Sequence, residues 1–191
     1  MSDYLELIKE LRGLSDKLDL EDFTEFDPSL LIPEERIREY CYQNICGNYE
    51  KHYMCPPYIG TIDEIKKQLN LFDKAILLRY SAKYKKDEYR KIIFKSKMDF
   101  HMKVLKLEKL FHKMDIDSWG LIGGSCSLCI ECKAAANKPC KHPKKARPSL
   151  ESLGIDVQKL LDNFGLDNKF YPEKIVWAGC VLFRLNKDIF K

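Results

Sequence analysis

The chain has 191 residues, 45% of them hydrophobic and 32% charged, with a net charge of +4. That length suits one full-sized domain with at most a small appendage, and the balance excludes a disordered chain. The mild charge gives no ground for nucleic-acid binding, no apolar run reaches the roughly 20 residues of a membrane span, and the mixed charges between Met1 and Leu20 read as no export signal, so a cytoplasmic location is expected.

In chain order, Tyr4, Ile8, Leu11 and Leu18 recur at helical spacing and predict a first helix. The acidic stretch 20–29 reads as a connector, so 1–30 form an N-terminal helix and connector, and 31–191 a cysteine-rich domain. Pro33 opens a short helix over 34–40. The next stretch contains Gly47, Pro56, Pro57 and Gly60 and reads as irregular backbone. Thr61 and Glu64 form a capping-box pattern for a helix to about 69, and 75–80 read as a buried strand. A long helix is predicted over 86–114, with Ile93, Phe100, Val104, Leu107, Phe111 and Met114 as its apolar stripe and Arg90, Lys91, Lys95 and Lys97 on a solvated face. A short apolar run, 119–122, leads into Gly123 and Gly124. Ser149 and Asp156 are placed to cap helical turns that Gly154 and Gly165 end, and 174–185 make a final strand. Strands separated by helices predict an α+β or α/β fold, a small mixed sheet packed with helices, with the cysteine-rich loops at element ends.

Eight cysteines in a chain expected in a reducing compartment call for a chemical reason, because structural disulfides are disfavoured there. Seven of them fall in two groups, Cys41 to Cys55 and Cys126 to Cys140, and grouped cysteines read as metal ligands or redox groups. The second group has the pattern Cys126-x2-Cys129-x2-Cys132-x7-Cys140. Thiolates are soft ligands that suit iron–sulfur clusters, zinc and copper(I). Three cysteines at two-residue gaps can hold three corners of a cube-shaped cluster, as bacterial ferredoxin loops do, whereas zinc sites more often pair two separated knuckles. The seven-residue gap before Cys140 departs from the ferredoxin pattern. Iron–sulfur, of the 4Fe–4S type, is the leading expectation, zinc the main alternative and an unmetallated thiol site the third. Gly123, Gly124 and Ser125 would let backbone N–H groups approach the sulfurs.

The first group, Cys41-x4-Cys46-x8-Cys55, is less specific. It could hold a second cluster, lend Cys55 to the other loop's cluster, leave an iron open for substrate, or hold no metal. His52 and His142 lie among the cysteines as candidate further ligands, and His101 and His112, on the long helix, carry no expected role. Cys180 lies in an apolar run, where core packing is the first reading and a fourth ligand for the first group the second. The two groups are expected to approach each other in space, with the tyrosines around the first shielding a metal from water.

Several segments taken together are similar to one family. They are Cys46-Gly47-Asn48-Tyr49, Cys55-Pro56-Pro57-Tyr58-Ile59-Gly60-Thr61, the run from Gly124 to Cys132, Pro139-Cys140-Lys141-His142-Pro143, and the run from Arg147 to Val157. From about Tyr40 onward the chain resembles the predicted metal-binding proteins of domain of unknown function 2284, which occur in anaerobic bacteria and archaea. The resemblance implies metal at both cysteine groups, iron–sulfur foremost, and no particular reaction.

Three functional classes follow. The first is a redox carrier or reductive accessory factor, whose basic rim from Lys141 to Arg147 could dock an acidic ferredoxin or flavodoxin or could equally compensate the charge of an anionic cluster. The second is an iron–sulfur enzyme with an open-iron substrate site, although no nucleotide-binding or catalytic motif is present. The third is a zinc-stapled interaction module.

Overall fold

The computed structural model describes residues 2–166 and 173–185. Its centre is a four-stranded sheet in the order β1-β2-β4-β3. Strands β2 (Lys74–Lys83) and β4 (Lys174–Phe183) pair along their whole length, from Lys74 opposite Phe183 to Lys83 opposite Lys174. On the outer sides, β1 (Asp22–Phe26) lies against β2 and β3 (Ser118–Leu121) against the end of β4. The α+β form of the expectation holds, and every strand pairing is antiparallel.

Successive side chains of a strand point to opposite faces, and where both faces are covered the strands are apolar, over 75–78 in β2 and 175–183 in β4. On one face Ile76, Leu78, Val181 and Phe183 meet α1 (Ser2–Lys17) and α4 (Tyr89–Lys113) through Leu7, Leu11, Phe100, Val104, Leu107 and Phe111. On the other, Ala75, Leu77, Cys180 and Leu182 meet α3 (Ile62–Leu69) and α5 (Val157–Asp162) through Ile65, Leu69, Leu160 and Leu161. Two glycines let α4 come close to this sheet. A Cβ on Gly120 would lie 2.6 Å from Val104, and one on Gly179 would lie 2.4 Å from the Leu121 carbonyl oxygen and 3.0 Å from the Phe100 ring.

The local signals fold as their chemistry dictates. Thr61 accepts from the Glu64 N–H at 3.3 Å while Glu64 accepts from the Thr61 N–H at 2.7 Å, the reciprocal capping box that starts α3. Asp156 accepts from the Lys159 N–H and caps α5. Helix α4 begins at Tyr89, after a 3-10 turn at Lys86–Glu88. The stretch read as a connector contains β1 instead. Phe23 and Phe26 are buried, and Asp22 pairs with Arg79 of β2 at 2.5 Å, so its acidic residues sit along a sheet edge.

Candidate metal centre

Apart from Cys41, the cysteines of both groups lie in the connections between elements. Cys41 is in the last turn of α2 (Glu35–Tyr42), Cys46 and Cys55 are in the stretch between α2 and α3, and the second group follows β3. The two loops are fastened together by side chains. The Met54 N–H donates to His52 Nδ1 at 3.2 Å, which leaves Nε2 as the protonated nitrogen, and Nε2 donates to the Cys126 carbonyl at 2.9 Å. Burial lowers the His52 pKa and keeps the ring neutral. The next residue, Tyr53, donates its hydroxyl to the Lys138 carbonyl at 2.9 Å. One loop therefore grips the other both at the first cysteine of the second group and just before its last.

Cys126, Cys129, Cys132 and Cys140 line a single small cavity, together with His52 and His142 and the apolar side chains of Met54, Leu128 and Ala146. Backbone N–H groups of Leu128 and Arg147 hydrogen-bond the Cys126 thiol, and that of His142 lies 3.4 Å from Cys140 Sγ. Burial nonetheless pushes the Cys126 thiol up, with the two N–H groups opposing it. N–H groups aimed at sulfur stabilise thiolate charge, as metal ligation by cysteine requires. These donors are not those of Gly123, Gly124 and Ser125. Gly123 instead lies where a Cβ would be 2.9 Å from the Ala178 carbonyl oxygen. Gly124, at φ +69°, packs against Trp177, and the Ser125 hydroxyl takes a hydrogen bond from Lys97 at 3.3 Å.

The first group is spread more widely. Cys46 is exposed, Cys41 is partly covered and Cys55 is buried. The Cys55 thiol is pushed up to about 12, first by burial and then by its neighbours Cys46, Cys41, Cys132 and Cys126. Cys55 thus stands within electrostatic reach of both groups and is their meeting point. Cys180 is fully buried, on the sheet face opposite the one against which Cys126 packs, among Leu77, Leu121 and Leu182, and burial alone pushes its thiol up. That is the core-packing reading of Cys180. The tyrosines pair edge to face within the first loop, Tyr42 with Tyr49 and Tyr53 with Tyr58, while Tyr40 is 67% exposed.

Helix α4 supports the second group from below, a role its sequence did not announce. His101, fully buried, meets the Lys145 carbonyl through Nε2 at 2.9 Å, and burial lowers its pKa. Glu108 receives Arg147 Nε at 2.9 Å on each oxygen and also the Gly120 N–H at 2.8 Å. Arg147, expected on the basic rim, is thereby paired inside, and its own N–H reaches the Cys126 thiol. Lys97, expected on the solvated face, is half-buried, with Cys126, Cys55 and Cys46 in electrostatic reach. The only advance signal for these roles was charged and histidine residues falling on or beside the apolar stripe of a long helix.

The donor set is soft and, at Cys126 and Cys140, hydrogen-bonded to N–H groups, which fits a thiophilic metal. Among the described residues no three histidine, cysteine or carboxylate side chains close on one point tightly enough to hold a single ion. No helix among them is long and apolar enough to cross a membrane. The fold and paired thiol loops define an α+β protein with a cysteine-rich end. Residues 24–183 match the predicted metal-binding protein family DUF2284, and the chain belongs to that family. The match starts within β1, upstream of the Tyr40 from which the resemblance runs, and ends with β4, so it takes in nearly the whole sheet. No curated protein and no solved structure matches the chain.

Proposed function

We propose that this protein is an iron–sulfur redox carrier or reductive accessory factor, with Cys126, Cys129, Cys132 and Cys140 holding a 4Fe–4S cluster. The observation that carries this reading is the common cavity that all four thiols line. The cluster would supply one-electron transfer. The chain's own contribution is to present the thiolates, to steady their charge through the N–H groups of Leu128, Arg147 and His142, and to exclude water with Met54, Leu128 and Ala146. Cys55, with Cys41 and Cys46, would hold a second centre beside the first or complete the shared one.

A basic groove supports docking of an acidic redox partner of the ferredoxin or flavodoxin type. Lys106 and Lys109 of α4 face Lys144 and Lys145 across a space of about 360 Å³, and none of the four has a carboxylate partner among the described residues. The groove is lined in part by Arg147, whose backbone N–H hydrogen-bonds the Cys126 thiol.

Anaerobic purification followed by iron, sulfide and zinc analysis tests the reading. Iron and acid-labile sulfide in equal amounts, a dithionite-bleached band near roughly 400 nm and a paramagnetic signal on reduction are expected. Stoichiometric zinc without iron would end the redox reading in favour of a zinc-stapled module.

A further inference from the structure

Beside the small thiol cavity a second, more open cleft of about 430 Å³ lies between the two cysteine loops and α4. Its walls include Lys51 of the first loop, Ser125, Cys129 and Cys132 of the second, and Phe94 and Lys97 of the helix. That volume is within the range of small-molecule sites, about 300 to 1,000 Å³. Its polar groups are unevenly satisfied. Lys97 is half-buried, yet its ammonium has one hydrogen bond, to Ser125 Oγ at 3.3 Å, and no carboxylate partner among the described residues. Lys51 is exposed on the rim and likewise lacks a carboxylate partner there. A desolvated ammonium costs free energy unless an anion meets it. Phe94, 51% exposed at the same wall, offers an apolar surface that bare inorganic anions would not use. One carboxylate, Glu131, also lines the cleft and would repel an anion placed at its end.

We propose that this cleft binds a small organic carboxylate. The headgroup would lie between Lys97, Lys51 and the Ser125 hydroxyl, and the body would lie along Phe94 with its edge toward Cys129 and Cys132. The proposal does not depend on which metal the cysteines hold. It gives the thiol centre a small-molecule ligand in addition to any protein partner. The competing role for Lys97 is that of counter-ion to the thiols of Cys126, Cys55 and Cys46, which lie within its electrostatic reach.

Calorimetric titration of the anaerobically purified full chain with benzoate separates these roles, with benzamide and inorganic phosphate as comparison ligands and with iron and zinc measured on every sample. Benzoate is expected to bind saturably at one site and benzamide not to bind. Lys97→Met and Lys51→Ala should each weaken benzoate about tenfold, the loss of one charge-assisted contact, and Lys97→Arg should retain it. Should Lys97→Met fail to fold or lose its metal, Lys51→Ala on the exposed rim carries the same test. Absence of saturable benzoate binding, equal binding of benzamide, tighter binding of phosphate, or indifference to both lysine variants would overturn the proposal. Benzoate binding by a zinc-loaded, iron-free protein would support this cleft while ending the iron–sulfur reading, and an iron-loaded protein indifferent to benzoate would do the reverse.

Discussion

At the residue scale, the most consequential side chains after the cysteines are two that reach from α4 to the turn 142–148. Glu108 is 2% exposed and satisfies both Arg147 and the Gly120 N–H. Removing one partner of a buried pair leaves the other charge uncompensated, so Glu108→Ala should destabilise the protein by about 3 kcal/mol or more. Chemical denaturation measures this, and a loss under about 1 kcal/mol would mean that Arg147 finds other partners. His101 acts through titration. Its folded pKa lies below its ordinary 6.5, so below that value the unfolded chain binds more protons than the folded one. Its contribution is complete above about pH 6.5 and is lost as the pH falls toward the folded value. His52 has the same sign for the same reason. Denaturation midpoints should therefore fall between about pH 7 and about pH 5.5. His101→Gln, whose amide N–H can still serve the Lys145 carbonyl, should fall less steeply, and an unchanged slope would remove His101 from the account.

At the element scale, α4 is both the cover of one sheet face and the seat of the thiol loop, so its depth on the sheet should couple core packing to metal content. Gly179→Ala would put a methyl 2.4 Å from the Leu121 carbonyl oxygen and 3.0 Å from Phe100. Overpacking of this kind costs about 1 to 3 kcal/mol. The displaced helix would carry His101 and Glu108 with it, so metal content should fall together with the denaturation midpoint even though Gly179 lies outside both cysteine groups. Normal metal content in a destabilised variant would show the two to be uncoupled. The same elements show what a sequence reveals. The α4 stripe, the Thr61 capping box and the Cys126-x2-Cys129-x2-Cys132 spacing are local patterns, complete within a few turns of chain, and each was legible. Strand β1 was not, because Asp22 and Glu25 mask the alternation of Phe23 with its neighbours and only pairing with β2 makes that alternation a strand. The grip of His101 on Lys145 and of Glu108 on Arg147 spans 44 and 39 residues, and no local pattern announces such pairs. The reading of Lys97 as solvated failed likewise, since its cover comes from loops on either side of it in sequence.

At the scale of the whole molecule, apolar packing is distributed unevenly between the sheet core and the cysteine-rich end. The core is closed by apolar side chains on both faces of β2 and β4, from Leu7 and Phe111 on one side to Ile65 and Leu161 on the other. The cysteine-rich end has little of this. Its two loops are tied to each other by His52 to Cys126 and Tyr53 to Lys138, the second also rests on α4 through His101 and Glu108, and its cavity is lined by cysteines. Metal binding free energy is partly folding free energy, so it should be concentrated there. Local opening follows such differences, and hydrogen exchange reports it segment by segment. When metal is removed by a chelator under anaerobic conditions, amides of Leu128, His142 and Arg147 should exchange faster, and those near Cys55 should accelerate with them, because His52 and Tyr53 tie that loop to the second. Amides of β2 and β4 should keep their protection. Faster exchange around Cys126 to Cys140 with an unaltered first loop would show that the two cysteine groups are separate units despite their contacts. Loss of protection in β2 would show that the metal holds the whole fold rather than one end of it.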